Sequence, residues 1–237
     1  MADERLAGKR VLITGGAGGV GRETAARMLA AGARVVSADI PGATRHASGS
    51  ATFSGDLARQ EEIERLFRFV DEELGGLDIL VACAGLPSDP LMTISDAGWR
   101  QVIDANLVSY VGCAKKAVER IRNGGRDGQL IFVGSISVHI KAVGESVYNA
   151  SKGGVALFVE TLRKEMIPEK IRVTLIEPGA IATHLQPFSD EKLHEFEDRQ
   201  EMLPAGEVAE GIMFAATRAP GVDVVTLRIE PLVQKIT

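Results

Sequence analysis

The sequence predicts one doubly wound α/β domain: a single parallel sheet of about seven strands with helices on both faces. Three observations lead there. Short apolar runs alternate with longer amphipathic ones from end to end. The apolar runs are continuous rather than alternating, as strands covered on both faces are. The segments between them are long enough for the helical crossovers that parallel neighbours need.

In order, Arg10–Thr14 reads as a buried strand and Gly19–Ala31 as a helix stopped by Gly32. Arg34–Ala38 is a second strand and Ala51–Phe53 a weaker third. Gln60–Leu74 is a helix with Ile63, Leu66, Phe67 and Val70 on one face. Asp78–Ala82 is a strand, Asp96–Ile121 a long helix, and Gln129–Val133 a strand. Val147–Met166 is another long helix, ended near Pro168. Ile171–Ile176 and Val224–Ile229 complete the strands. The long irregular stretch from Pro178 to about Pro204 is polar and follows the end of a strand, where such sheets bind ligands. It is expected to be a substrate lid, at about 180–204, containing a short helix.

Composition narrows the function classes. The 237 residues suit one larger α/β unit, residues 1–237, with no repeat and no linker. The net charge of −5 implies no basic face, so no nucleic-acid partner is expected. No apolar stretch is long enough to span a membrane, and the charged start Met1-Ala-Asp-Glu-Arg does not read as a signal peptide. Cys83 and Cys113 form no CxxC and suggest reduced thiols in the cytoplasm. His46, His139, His184 and His194 are scattered, so no metal is expected.

Two constellations carry chemistry. Thr14-Gly-Gly-Ala-Gly-Gly-Val-Gly21 joins the first strand to the first helix. Glycines there let backbone N–H groups approach a pyrophosphate at a helix N-terminus. A Gly-rich turn alone is weak evidence, but this one follows a buried strand, and the next strand ends in Asp39. A carboxylate there accepts hydrogen bonds from an adenosine ribose diol; the bland alternative is a solvated loop Asp. The second constellation is Tyr148-Asn-Ala-Ser-Lys152, which opens a helix. Positions i and i+4 share a face, and a nearby ammonium is expected to lower the phenol pKa. Such a pair is by itself ordinary surface decoration. Ser135, 13 residues earlier and just past a strand end, adds a hydroxyl for a substrate oxygen.

Together these residues resemble the short-chain dehydrogenase/reductase family, collinearly from about Lys9 to Ile229. Thr14, Gly15, Gly19 and Gly21, with Val20 inside the turn, resemble its TGxxxGxG. Asp56-Leu57 resembles the family's contact to adenine, and Ala82-Cys-Ala-Gly85 stands where NNAG is usual. Asn106, Ser135, Tyr148 and Lys152 match the catalytic set, and Pro178-Gly-Ala-Ile-Ala-Thr183 the PGxxxT segment at the nicotinamide. The resemblance implies a Rossmann-like fold and an NAD(H)-dependent oxidoreductase acting on a small alcohol or carbonyl compound, with NADP the lesser expectation. It implies that Tyr148 exchanges the proton, Lys152 holds the nicotinamide ribose, Ser135 positions the substrate oxygen and Asn106 holds a water in a proton relay. The implied cofactor contacts are Thr14, Gly15, Gly19, Val20, Gly21, Asp39, Asp56, Leu57, Ala84, Gly85, Tyr148, Lys152, Pro178, Gly179, Ile181 and Thr183.

Two departures stand out. Cys83 replaces the usual Asn and cannot repeat its paired donor and acceptor; it reads as a packing thiol. Leu227-Arg-Ile-Glu-Pro-Leu-Val-Gln234 replaces a Gly-rich ending and resembles a branch whose members handle small hydroxy acids or sulfonates. The rival readings are a catalytically silent nucleotide sensor or scaffold, and an epimerase or dehydratase, for which the chain is short. Leu86, Ser137, His139, Glu145, Ala180, His184 and Leu185 are the candidate substrate-pocket residues. Val108, Val111, Ala114, Val155, Leu157 and Phe158 put apolar groups on more than one helix face, so a homo-oligomer is expected, a tetramer by resemblance.

Overall fold

The computed structural model describes residues 5–124 and 127–234. The main sheet comprises β1 (Arg10–Thr14), β2 (Arg34–Asp39), β3 (Ala51–Ser54), β4 (Ile79–Ala82), β5 (Gly128–Val133), β6 (Ile171–Pro178) and β9 (Thr226–Ile229). Their order is β3-β2-β1-β4-β5-β6-β9, and every pairing is parallel. This is the expected seven-stranded, doubly wound sheet. The order reverses between β1 and β4, so a crevice opens at the carboxyl ends of these two strands. Thr14 lies there, opposite Ala38 on one side and Ala82 on the other.

Helices α2 (Gln60–Leu74), α4 (Ser109–Gly124) and α6 (Ser146–Met166) cover one face. Helices α1 (Gly19–Ala30) and α8 (Ala205–Ala216) pack against each other and cover the other face. Alternate strand residues feed the two cores: Leu130 and Phe132 enter the first, Ile131 and Val133 the second.

Several expected elements take a different form. The long helix from Asp96 is broken into α3 (Asp96–Ile103), a π-helical turn (Asp104–Val108) and α4. The Ser109 N–H reaches back to the Asp104 carbonyl, and the Ser109 hydroxyl donates to Ala105 O at 2.6 Å. Such turns insert one residue and re-aim the helix face, here at Asn106. The last strand begins at Thr226 rather than Val224. Between 178 and 204, β7 (Ile181–Ala182) pairs with β8 (Leu203–Pro204), and α7 (Asp190–Asp198) is the expected short helix. Helix α5 (Ser137–Ile140) and helix α8 were not anticipated.

At the amino ends of the strands, Arg10 and Asp78 lock β1 to β4. Arg10 Nε donates to Asp78 Oδ2 at 3.0 Å, Nη2 to Oδ1 at 2.8 Å, and the Arg10 backbone N–H to Oδ2 at 2.9 Å. Burial pushes the Asp78 carboxyl up, but these bonds and the Arg10 charge outweigh it and hold the group below its ordinary range.

Candidate active site

The glycine loop sits in the crevice. Gly15 has φ +68°, and a Cβ there would fall 2.7 Å from Ala84 N. A Cβ on Gly16 would fall 2.1 Å from Ser37 Oγ, and one on Gly21 2.1 Å from Gly15 O. The loop is therefore pressed onto β2, β4 and itself, as a close backbone cradle requires. Gly18, the N-cap of α1, has no side chain to satisfy the first-turn amides, which begin with Gly19, Val20 and Gly21. Asp39 Oδ2 accepts from Ala17 N at 2.9 Å and Oδ1 from Ile40 N at 2.8 Å. Asp39 thus braces the loop from the end of β2 instead of pointing idly to solvent.

On the other side, Cys83 N donates to Thr14 O at 3.1 Å, tying the two strand ends together. Burial pushes the Cys83 thiol up to about 12, against the pull of the Lys152 charge, so it is a packing group. Asn106 is buried, and its amide clamps the strand that leaves the crevice. Oδ1 accepts from Leu86 N at 2.7 Å, and Nδ2 donates to Leu86 O at 2.9 Å and Ser151 Oγ at 3.1 Å. Both ends of the amide are thus engaged, which fixes Asn106 beside the strand end.

Tyr148 and Lys152 project from the first turns of α6. Lys152 is buried, and its Nζ donates to Val133 O at 3.0 Å. Burial lowers its ammonium pKa to about 8, only partly opposed by Cys83. A Cβ on Gly85 would lie 3.6 Å from Lys152 Nζ and 3.5 Å from Asn106 Oδ1, so Gly85 leaves room where these groups converge. Tyr148 hydrogen-bonds Ser135, whose Oγ also accepts from Ser137 N at 3.1 Å. The expected lowering of the phenol by Lys152 is absent from this state. Burial raises Tyr148 above its ordinary value, Ser135 lowers it in part, and Glu145 raises it further. Lys152 Nζ stands 6.0 Å from the Tyr148 ring centroid and is turned to a carbonyl.

Past β6, the Pro178 carbonyl accepts from Ile136 N at 2.9 Å, and Gly179 N donates to Ile229 O at 2.7 Å. Ala180 O accepts from Leu203 N, and Ile181 lies in β7. A Cβ on Gly19 would fall 2.7 Å from Thr183 Cγ2, so this segment lies on the glycine loop. Asp56 is exposed and accepts from Ala58 N, while the Leu57 side chain is in the core and leaves only its backbone to a ligand.

The motifs expected to act together thus do meet at one crevice. A profile described as short chain dehydrogenase matches residues 9–194. The chain belongs to the short-chain dehydrogenase/reductase family. Farnesol dehydrogenase of Aedes aegypti is 28% identical, with 98% of this chain and 99% of that protein aligned. A 3-oxoacyl-(acyl-carrier-protein) reductase of a Synechocystis strain is 30% identical over 90% of each. A crystal structure of a dehydrogenase/reductase from Sinorhizobium meliloti 1021 superposes with a TM-score of 0.85 at 27% identity, covering 97% of this chain and 96% of that one. The protein is accordingly an oxidoreductase of CH–OH groups that works with a nicotinamide cofactor. The glycine cradle, too tight for a Cβ at Gly15, Gly16 and Gly21, and the braced Asp39 fit a dinucleotide.

In this dehydrogenase the remaining candidates divide. Glu145 is half-buried beside Tyr148. Ser137 is buried, and among the described residues its hydroxyl has no hydrogen-bond partner. His139 leaves the pocket role for Glu177: Nε2 lies 3.1 Å from both carboxylate oxygens. Exposed His184 meets Arg45 Nη1, and His184 Nδ1 lies 3.5 Å from Asp190, so Arg45 is turned away from Asp39. Leu185 is also exposed. Of the expected oligomer contacts, Val108, Val111 and Leu157 are exposed. Ala114 and Val155 instead lie in the core, and Phe158 packs edge-on against Phe132, because these positions face the sheet.

Sequence reasoning missed Tyr110, Glu177 and Gln234. The Tyr110 hydroxyl lies 2.8 Å from Ala84 O and 3.2 Å from Val133 O. Gln234 Oε1 accepts from Ala180 N at 3.1 Å, so the unusual C-terminal segment braces the segment after β6. A polar residue inside an apolar helix face (Tyr110) or at a buried strand end (Glu177) was the available signal.

Proposed function

We propose that the protein transfers a hydride between NAD(H) and a small alcohol or carbonyl compound, with Tyr148 exchanging the proton at the substrate oxygen. The observation that carries this reading is the joint placement of Ser135, Tyr148 and Lys152 at the crevice beneath the glycine loop. When bound, the nicotinamide supplies or takes the hydride, and the protein supplies orientation and proton handling. Ser135 Oγ accepts from Ser137 N, so its own proton is free for the Tyr148 oxygen or the substrate oxygen. Lys152 offers a ribose hydroxyl a charged donor and, once turned toward the phenol, favours the phenolate. Asn106, held by its bonds to Leu86 and Ser151, holds a water that feeds a proton relay through Lys152.

The bracing by Asp39 supports NAD over NADP. A carboxylate at the end of β2 would repel a 2′-phosphate by a few kcal/mol at an effective dielectric near 20. Residues at about 180–204 act as the substrate lid over a single domain, tied down by the β7–β8 pair and the Gln234 brace. The exposed Val108, Val111 and Leu157 form a homo-oligomer contact, in a tetramer; light scattering that gives a monomer at micromolar concentration contradicts this. Among the described residues no helix is long and apolar enough to cross a membrane. Two free thiols, Cys113 buried and Cys83 half-buried, fit the reducing cytoplasm.

Tyr148→Phe tests the reading. Turnover is expected to fall by roughly 10²–10⁴, while NADH binding, followed by fluorescence, is retained. Turnover near the wild-type level in that variant rejects Tyr148 as the proton donor.

A further inference from the structure

Glu145 stands at the N-cap of α6, three residues before Tyr148, and its side chain makes no capping bond. Its position is fixed by the backbone: Glu145 O accepts from Asn149 N at 2.7 Å. The neighbouring Gly144 closes on the loop after β4, since a Cβ there would lie 3.5 Å from Pro90 Cγ. That loop starts from Leu86, which Asn106 clamps on both its N–H and C=O. Leu86 to Pro90 therefore forms a wall running from the Asn106 clamp to the start of α6, with Glu145 on its rim beside Tyr148.

The carboxylate there is half-buried and, among the described residues, has no ion pair or hydrogen bond. The buried Glu177 on the same sheet edge is different: it meets His139 at 3.1 Å and Arg228 Nε at 3.8 Å. Two polar atoms on adjoining elements, Ser137 Oγ in α5 and Asn149 Oδ1 in the first turn of α6, are also buried without a partner among the described residues. A buried acceptor that lacks a donor is costly unless something else supplies one. Burial holds the Glu145 carboxyl above its usual range, and Glu145 in turn helps hold the Tyr148 phenol up, so the two groups lie within electrostatic reach.

Building on the oxidoreductase reading, we propose that Glu145 recognises the substrate. It accepts a hydrogen bond from a donor group, a second hydroxyl or an ammonium, on the carbon next to the reacting one. It also turns away substrates that carry a carboxylate or sulfonate there. The hydroxy acids and sulfonates to which the C-terminal segment pointed are therefore excluded. A site that hydrogen-bonds a substrate group discriminates strongly against analogues lacking it, because the pocket's polar atoms are then left unpaired.

The test uses the full chain with NAD and four matched compounds: a four-carbon secondary alcohol, its vicinal diol, the corresponding amino alcohol and the corresponding hydroxy acid. The native enzyme is expected to favour the diol or the amino alcohol over the hydroxy acid by at least roughly tenfold in kcat/KM. Glu145→Gln keeps the diol and loses the amino alcohol, which separates the two donors, and Glu145→Lys shifts the preference to the hydroxy acid. The same order is read from the rise in unfolding temperature of the NADH complex, whether or not a compound is turned over. An order unchanged across the three proteins, or no compound that binds, overturns the proposal.

A third arm does not depend on substrate. The chain has two tyrosines, and burial holds Tyr110 well above its ordinary value, so the phenol that titrates first is that of Tyr148. Glu145→Gln is expected to lower that titration in ultraviolet difference spectra, and no shift places the carboxylate away from the phenol and overturns the proposal. Wild-type turnover in Tyr148→Phe rejects Tyr148 as the proton donor instead, and leaves this titration arm standing.

Discussion

The two edges of the sheet treat buried charge in opposite ways. At the amino edge, Asp78 is wholly buried and receives two guanidinium bonds and a backbone N–H from Arg10. At the carboxyl edge, Lys152 is buried with a carbonyl partner, and among the described residues it has no carboxylate. Glu145 and the Ser137 hydroxyl on that edge lack partners as well. The amino edge is built for cohesion and could be completed by the chain alone. The carboxyl edge leaves donors and acceptors open, as expected where a ligand finishes the network.

The contrast can be broken most forcefully at the amino edge. Asp78→Asn leaves the Arg10 charge without its counter-ion, and about 3–5 kcal/mol of stability should be lost, the lower end being favoured because Arg10 keeps a bond to Gly75 O. Urea unfolding midpoints measure this. The Asp78 carboxyl is held below its ordinary value in the fold. Its contribution is therefore complete above the unfolded value near pH 4 and is lost as the pH falls through the folded one. A loss of less than about 1 kcal/mol, read from the midpoint and slope, would place the cohesion elsewhere.

Asp39 sharpens the contrast, because its carboxylate is held by backbone amides and its charge remains available to a ligand. Asp39→Asn keeps an acceptor for Ala17 N and removes the charge. The preference for NAD over NADP, expected to be at least roughly tenfold in kcat/KM or about 1.4 kcal/mol, should shrink with that variant. Asp39→Ala should do the same and also weaken NADH binding, since the loop loses its brace. Steady-state kinetics with both cofactors decide it, and an unchanged ratio removes Asp39 from selectivity.

Much of the carboxyl edge was legible in the sequence. Continuous apolar runs such as those at Arg10–Thr14 and Gln129–Val133, short and separated by long helical segments, read as strands covered on both faces, so the sheet followed directly. The glycine turn and the Tyr148–Lys152 spacing are local patterns, and local patterns survive folding. What depends on distant partners did not show. The clamp of Asn106 on Leu86 spans 20 residues and needs the π-helical turn to aim it. The brace of Gln234 on Ala180 spans 54 residues. The direction of the Tyr148 shift was misjudged for the same reason: burial raises it, Ser135 opposes only in part, Glu145 adds to the rise, and Lys152 is turned to Val133 O. Helix α8 was overlooked although Val208 and Ile212 already mark its buried face.

Lys152→Met tests the central contrast most directly. Burial lowers the Lys152 pKa from 10.5 to about 8, a penalty of order 3 kcal/mol on the charged form. The penalty is present in full below pH about 8. It fades as the pH rises from there toward 10.5, because over that span the unfolded chain binds more protons than the folded one. The substitution removes the penalty, and Val133 O keeps the Tyr110 hydroxyl at 3.2 Å. The account predicts that near pH 7 the variant unfolds up to about 6–12 °C higher than the native protein, at about 2–4 °C per kcal/mol, with turnover at least roughly a hundredfold lower. The advantage in unfolding temperature should close as the pH rises through the window above. A variant that is less stable near pH 7, or that keeps native turnover, would contradict the view that this edge holds an open charge for chemistry.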